Sequence, residues 1–411
     1  MKKILLFILL SSFAFSGTEP TLIDTCLVTA TIETGKIFVA QMTATDYVVA
    51  YDSSGYQVCL QTFTLDGSYN ITDNGDSWRV SNGGAETNPY MIKLADGKFM
   101  VTWTSTSNTL VRTLSATKSG GYTWTEIDLG TVLAYDSSYP ALAHLTGNYY
   151  VGVQRNAVTT QSRVFTFSVD GAYDNITYID NLIHDTNDGK TPDIEVIDAT
   201  HFIVTYADDG DDGYVSTFSV DATADNITEI DEFEFDNTKG TWAEIDLGAD
   251  DSHYVISYQN TSDHLVVETI ELDGSYNITP IDSGVVITSS GNYSSMVKLT
   301  DNSGNNLYAA NGRDASNVQK IASFIIANDG TITSHSDSLR HHNAATYNEM
   351  CRIDDNHVMV VHTITANTGY IVKTFEFDAL PSEGYGHTVS GVSTPTKVNG
   401  VEAPTKVNGV E

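Results

Sequence analysis

Basic residues are scarce in this chain of 411 residues. Twenty lysines and arginines stand against 53 aspartates and glutamates, a formal net charge of −33. That balance excludes a general nucleic-acid binder, which needs a positive footprint for phosphates. Acidity of this size keeps a chain soluble and draws cations to its surface. Cysteine is almost missing too: Cys26, Cys59 and Cys351 are the whole set. Their spacing fits no metal or redox motif, and either one disulfide with a free thiol or three free thiols is compatible with it. Beyond the first ten residues there is no apolar run near the ~20 residues that span a bilayer, so no transmembrane anchor is expected. Gly-x-Ser-x-Gly, His-Glu-x-x-His, phosphate-loop and dinucleotide fingerprints are all absent.

The N-terminus has a recognisable plan. Met1-Lys2-Lys3 precedes an apolar stretch from Ile4 to Leu10, followed by the small residues Ser11, Ser12, Ala14, Ser16 and Gly17. A charged head, a short apolar run and a small-residue cleavage zone make residues 1–17 a secretory signal peptide by pattern. The expected location is therefore secreted, extracellular or periplasmic, where disulfides are permitted.

Internal repetition carries most of the information. Phe63-Thr64-Leu65-Asp66-Gly67-Ser68-Tyr69-Asn70-Ile71-Thr72 recurs with small changes beginning at Phe167, Phe218, Ile270 and Phe324, and an uncompleted copy begins at Phe375. Before each copy runs an apolar strand pattern, such as Tyr47-Val48-Val49-Ala50-Tyr51 or Phe99-Met100-Val101-Thr102-Trp103. Seven of these landmarks, about 52 residues apart, fit a propeller array. Alternation with β-branched and aromatic residues reads as strand, and Asp-Gly between apolar runs reads as a tight hairpin in which Gly takes positive φ. In the second unit the four strands fall near residues 90–94, 99–103, 110–114 and 123–129. The expected fold is all-β: a seven-bladed β-propeller of four-stranded antiparallel blades over residues 21–380.

The ends predict how the ring closes. Thr21 to Val28 reads as a fourth strand with no blade of its own, while the last unit has no fourth strand after Phe377. Pairing the N-terminal strand into the last blade removes two open edges. Residues 381–394 read as a polar linker. The tail at 395–411 repeats Pro-Thr-Lys-Val-Asn-Gly-Val-Glu twice. Its Lys-Val-Asn-Gly-Val words resemble terminal repeats of phage-borne and environmental bacterial surface proteins. That resemblance implies a tag for docking or self-assembly; a flexible tail is the plainer reading.

Two segments resemble the Asp-box of sialidase-like propellers. Thr117-Lys118-Ser119-Gly120-Gly121-Tyr122-Thr123-Trp124 matches at Gly, Thr and Trp, with Ser119 in place of the aspartate. Asp73-Asn74-Gly75-Asp76-Ser77-Trp78 matches from the aspartate onward. In that family the box is a stabilising turn remote from the active site, so the resemblance implies fold and not catalysis.

Candidate contact residues come from aligning the inner strands. Gln41, Lys93, His144, Lys298 and Arg352 share one position, with Val196 and Leu247 in units four and five. Facing the channel, they would form a site for an anionic ligand such as an acidic glycan, or simply a wet lining. Tyr90, Tyr139, Trp242, Tyr293 and Tyr347 lie near inner-strand starts, where rings stack on sugars or pack between blades. The acidic loop with Asp208, Asp209, Asp211 and Asp212 is a candidate for Ca²⁺, without the downstream bidentate glutamate a Ca²⁺ loop favours; no other cofactor is expected. The recurring Asn-Ile-Thr triplets read as structural strand starts.

The leading functional reading is a non-enzymatic binding, adhesion or surface-assembly module that recognises a carbohydrate or protein at the propeller face. An alternative is a polysaccharide-acting hydrolase or lyase using Tyr139, His144, Arg155 and Arg313. A further alternative is a filament or virion subunit joined through its tail.

Overall fold

The computed structural model describes residues 20–377, apart from 31, 33–34, 56, 82–85, 105–107, 136, 289–290, 300–305, 315, 336–337, 343–344 and 365–368, together with 397–398 and 401–402. Among the described residues there is no helix, and seven antiparallel sheets succeed one another along the chain. Blade 1 holds strands a to d at Phe38–Gln41, Asp46–Ser53, Gln57–Leu65 and Ile71–Arg79. Blade 2 holds Thr87–Ala95, Lys98–Thr104, Thr109–Lys118 and Tyr122–Leu133. The same order repeats through blade 5, each strand pairing with the next. In blade 6 the outer strand is split into Ile332–His335 and Leu339–His342, both paired to strand c. The chain is a seven-bladed β-propeller.

Strand a of every blade contacts strand a of both neighbours, so seven inner strands wall a central channel. Strands b and c are enclosed by their blade and by the blades on either side. Strand b is consequently buried on both faces: Tyr47, Val48, Val49 and Ala50 are all inaccessible, where the sequence pattern predicts alternation. The outer strand d keeps the alternation of a half-buried strand. Seven apolar clusters fill the gaps between blades, one for each neighbouring pair.

Blade 7 comprises Ala345–Arg352, His357–Ile364, Gly369–Glu376 and, as its outer strand, Thr21–Thr29 from the front of the chain. Thr21 pairs with Glu376 and Thr29 with Gly369, antiparallel. Polar contacts make this seam equivalent to the others. Asp128, Asp180 and Asp231 on outer strands each accept the N–H of Ile176, Ile227 and Ile278 in the next blade, at 3.0, 3.1 and 2.8 Å. Asp24 does the same for Ile71 at 2.7 Å. Likewise the hydroxyls of Thr113 and Thr217 donate to the Tyr173 and Tyr276 carbonyls, and Thr374 donates to Tyr69 across the seam. The Ile N–H of each Asn-Ile-Thr triplet is thus an inter-blade donor.

The Asp-Gly hairpins differ in detail from expectation. In three copies positive φ falls on Tyr69 (61°), Tyr173 (65°) and Tyr276 (64°), not on the glycine. The aspartate makes this bearable by folding the turn around its own carboxylate. Asp66 accepts from the Ser68 and Asn70 N–H groups and from the Asn70 side chain. Where glycine does take the strain, it is Gly97 (67°) and Gly330 (81°).

Of the two Asp-box-like segments, residues 117–124 form the blade 2 c–d hairpin, with Gly120 at φ 77° and Trp124 buried against Phe99. Residues 73–78 lie within strand d of blade 1, so this match is not a turn between strands. Gly75 at φ 70° sits there beside a register shift of the strand pairing. All three cysteines are free and gather in the cluster between blades 7 and 1. The signal-like segment 1–17 and the linker 381–394 lie outside the described residues. In the tail, Lys397–Val398 pairs antiparallel with Val401–Glu402.

Candidate channel-mouth site

One position at the start of strand a is occupied around the ring by Lys36, Asn88, Tyr139, Thr191, Trp242, Tyr293 and Tyr347. At this position the a–b pairing shifts register in blades 2 to 7. The backbone is left-handed at Asn88 (φ 52°), Tyr139 (50°), Thr191 (44°), Trp242 (56°) and Tyr293 (52°). Bulky and β-branched residues seldom adopt this conformation, and each such residue costs about 1–3 kcal/mol. Bulges re-aim side chains, and here the rings converge. Trp242 lies 4.1 Å from Tyr293, Tyr293 lies 4.4 Å from Tyr347, and Trp242 meets Tyr347 at 6.3 Å and Tyr139 at 5.9 Å. The interplanar angles of 50°, 56°, 76° and 87° make a frame of tilted rings, not a stack.

Beneath the frame lies a small cavity, lined by Lys36, Trp242, Tyr293, Tyr347, Glu244 and Glu349 among others. Its floor is acidic. Asp193, Glu195, Glu244, Asp246 and Glu349 sit on the inner strands of blades 4, 5 and 7, close enough to raise one another's proton affinity. Burial, helped by Asp246 and Asp193, pushes Glu195 up to about 8. Burial also raises Glu349 to about 8 and Asp246 to about 6, and lifts Asp193 and Glu244 above the usual carboxylate range. Lys36 opposes this shift at Asp193, Glu244 and Glu349. Three of the carboxylates are fixed by the next blade: Ile245 N–H donates to Asp193 at 3.0 Å, Met296 to Glu244 at 2.9 Å and Lys298 to Asp246 at 2.9 Å. Backbone donors thus hold the carboxylates in place around the channel.

Of the aromatic residues singled out from sequence, four assemble at this mouth: Tyr139, Trp242, Tyr293 and Tyr347. Tyr90 does not join them. It lies one layer deeper, packed on Phe38 at 4.7 Å, and the carboxylates of Asp193, Glu349, Glu195 and Glu244 act on it across the channel.

The ring of basic and polar residues lies elsewhere. Gln41, Lys93, His144, Lys298 and Arg352 occupy the far ends of the inner strands, tied to the a–b turns. Gln41 donates to Tyr47, Lys93 to the Met42 carbonyl of the preceding blade, and Lys298 to the Gly248 carbonyl. His144 bonds the Gly147 carbonyl, and Arg352 pairs with Asp355. These residues are staples at the opposite end from the rings, so one ligand-binding face does not hold both sets.

The catalytic foursome also divides. Tyr139, Arg155 and Arg313 share the mouth end, with Arg313 over the Tyr293 ring at 4.6 Å and Arg155 bound to Asp188. His144 lies five residues farther along its strand than Tyr139, roughly 16 Å at the rise of a β-strand.

The Asp208 loop closes on itself. Asp208 accepts the N–H groups of Gly210 and Asp212, while Lys190 reaches Asp211 at 2.8 Å and the Asp209 carbonyl. Crowding by burial and by Asp208, Asp236 and Asp211 raises Asp212. Among the described residues no group of three or more His, Cys, Asp or Glu side chains is arranged to hold a metal ion.

The acidic floor was overlooked in the sequence although its signal was present. Glu195 and Asp246 immediately precede Val196 and Leu247, the two positions where the aligned basic ring was broken. Side chains on adjacent strand positions point to opposite sides, so Glu195 and Asp246 one residue earlier, and Asp193, Glu244 and Glu349 three residues earlier, lie on the other side of the strand from the aligned series.

No protein-family model matches the chain, and no curated protein matches it. Solved structures do. The Chaetomium thermophilum Sqt1 bound to the N-terminus of ribosomal protein L10 is 11% identical, with a TM-score of 0.52 over 87% of this chain and 91% of its own. The Pseudomonas aeruginosa periplasmic gluconolactonase PpgL is 10% identical, with a TM-score of 0.54 over 78% and 93%. Saccharomyces cerevisiae Sqt1 is 9% identical, with a TM-score of 0.51 over 88% and 100%. At these identities the likeness is one of fold: the chain shares the propeller architecture of a protein-binding molecule and of an enzyme alike.

Proposed function

We propose that this protein is an exported, non-enzymatic binding module that docks a partner across the aromatic mouth of its channel. The observation that carries this reading is the convergence of Trp242, Tyr293 and Tyr347 over one cavity, with Tyr139 against Trp242 beside it, three of the four rings carried on left-handed backbone. Asn88 and Thr191 share this backbone, so the bulge repeated around the ring is what aims these side chains at the mouth. The acidic floor disfavours an acidic glycan and favours a protein partner or a neutral sugar. Sqt1, with a protein terminus bound, illustrates the same use of a propeller. The signal-like residues 1–17 support export, and the tail repeats are assigned to surface attachment.

The test is binding by the full chain to a glycan array and to candidate partner proteins, with Trp242→Ala and Tyr139→Ala alongside. Loss of at least about tenfold in affinity, roughly 1.4 kcal/mol, is expected for Trp242→Ala. Unchanged binding in both variants removes the mouth from consideration. Deleting residues 395–411 is expected to abolish attachment while leaving partner binding intact.

A polysaccharide-acting enzyme is the second reading, favoured by one observation. Glu195 and Glu349 keep their protons to about pH 8, as a general acid in glycoside cleavage must. Turnover of a polysaccharide that Glu349→Gln abolishes would establish it over the first.

A further inference from the structure

We propose that the cavity under the aromatic frame is a receptor for an alkylammonium group, the side chain of a lysine on a protein partner, enclosed by Trp242, Tyr293 and Tyr347 and charge-paired by Glu244 and Glu349. This rests on the mouth being the docking site and names what the site accepts.

The rings set the first condition. Trp242, Tyr293 and Tyr347 approach pairwise at 4.1, 4.4 and 6.3 Å with tilts of 50°, 56° and 76°. The three rings are therefore in mutual contact with their planes inclined to one another, and all three line the cavity. Ring faces carry negative potential, and a cation among several of them is attracted without needing hydrogen bonds. Cations of the chain itself already lie by rings of the mouth: the Lys36 ammonium is 5.9 Å from the Tyr139 ring and the Arg313 guanidinium is 4.6 Å from Tyr293.

Charge sets the second condition. The cavity lining includes two carboxyl groups, Glu244 and Glu349, and one ammonium, Lys36. Asp193 lies close enough to influence both glutamates. Glu244 is held by the Met296 N–H, whereas the carboxyl of Glu349 is steadied by its own neighbour Met350 and opens on the cavity. An anion or a neutral sugar entering here leaves the carboxyl groups in their protonated form. An alkylammonium favours their ionisation, pairs with the charge so formed and offers its methylene stem to the rings.

Proton release adds a third expectation. Glu349 retains its proton to about pH 8 in the empty protein. A cation beside it favours the ionised form, so binding expels the proton and tightens as pH rises.

The decisive measurement is calorimetry on the full chain with the peptide acetyl-Gly-Gly-Lys-Gly-Gly-amide, its norleucine counterpart, n-butylammonium and a neutral hexasaccharide. The lysine peptide is expected to bind at least about tenfold more tightly than the norleucine peptide, and more tightly at pH 9 than at pH 6. Glu349→Gln is expected to remove the pH dependence, and Trp242→Ala to weaken binding about tenfold, both with unchanged far-ultraviolet dichroism. Butylammonium binding as tightly as the peptide assigns the ammonium to a free amine; a tighter peptide assigns it to a protein.

Equal binding of the lysine and norleucine peptides, or a preference for the hexasaccharide, overturns the ammonium assignment. If Trp242→Ala still abolishes that binding, the mouth stands as a docking site. Absence of lysine-peptide binding at about 10 mM also overturns the proposal.

Discussion

Tyr69 shows how much one residue of the repeat accomplishes. Its ring stacks on His357 at 3.7 Å and its hydroxyl donates to Asp354 at 2.7 Å, joining the first blade to the last. Tyr276 repeats the arrangement on His201 and Asp198, at 3.6 and 2.7 Å. Tyr122 completes a variant with Asp46 and Lys118. Tyr69→Phe keeps the stack and loses the hydrogen bond, and is expected to cost about 1 kcal/mol, since the group is partly solvated. Thermal melting checks this, with Tyr276→Phe giving a similar loss. The partner carboxylates titrate accordingly. Hydrogen bonds from Tyr276, Thr200 and His201 outweigh burial and hold Asp198 near 2, below its unfolded value. Its contribution is therefore complete above about pH 4 and is lost as pH falls through 2. Asp198→Asn should flatten the melting temperature between pH 4 and 2; an unchanged slope would refute the clasp. From sequence the Tyr, Asn and Ile of the repeat were plain, but their partners lie a blade away, beyond the reach of a local motif.

At the scale of strands, periodicity revealed most of the plan. The unpaired first strand and the missing last one are complementary in any linear reading, and Thr21–Thr29 indeed lies against Gly369–Glu376. What periodicity could not supply was the phase of the inner strands. Alternation states that neighbours point oppositely without stating which points inward, and bulges at each strand start shift the count again. Hence the aromatic mouth was anticipated at Trp242 and Tyr293, while the acidic floor at Glu244 and Glu349 was exchanged for the staples Lys93 and Lys298.

The closing strand can be followed through its thiol. Burial raises the Cys26 and Cys59 thiols and carries Cys351 to about 12, which suppresses the reactive thiolate. Alkylation of the three is expected to be slow in the native ring and to accelerate together in Asp24→Ala, which loosens the seam. Acceleration of Cys26 alone would mean that the strand frays without opening the blade interface.

Another inter-blade element is vulnerable to acid. His362 is buried between blades 6 and 7 with neither ring nitrogen hydrogen-bonded, 4.6 Å from His342 and 5.5 Å from His341. Burial and these neighbours, with Lys373, depress His362 well below its ordinary value. Unfolded histidine takes up a proton near pH 6.5 that the folded ring refuses, so stability falls as pH drops below that value. His362→Gln should reduce this fall, as measured by denaturant midpoints at pH 7 and 5.

Over the whole molecule two titrations oppose each other. Glu195 and Glu349 bind protons up to about pH 8 when folded, against about 4.3 when unfolded. Their contribution is complete below the unfolded value and is lost as pH rises through 8. The histidine cluster acts in the reverse sense below 6.5. Greatest stability is expected at about pH 6, between the two. Glu349→Gln should flatten the decline from pH 6 to 9, whereas a steeper decline would contradict the burial of that carboxyl group.

The origin of the last blade's outer strand governs how the molecule comes into being. Thr21–Thr29 is made first, and its partner Gly369–Glu376 is made near the end of synthesis. The leading segment must therefore wait, unsatisfied, while six sheets form behind it, and the loop it finally closes spans nearly the whole polypeptide. Every molecule thus passes through an open stage with a bare edge at each extremity, the stage at which chaperones or neighbouring copies have access to it.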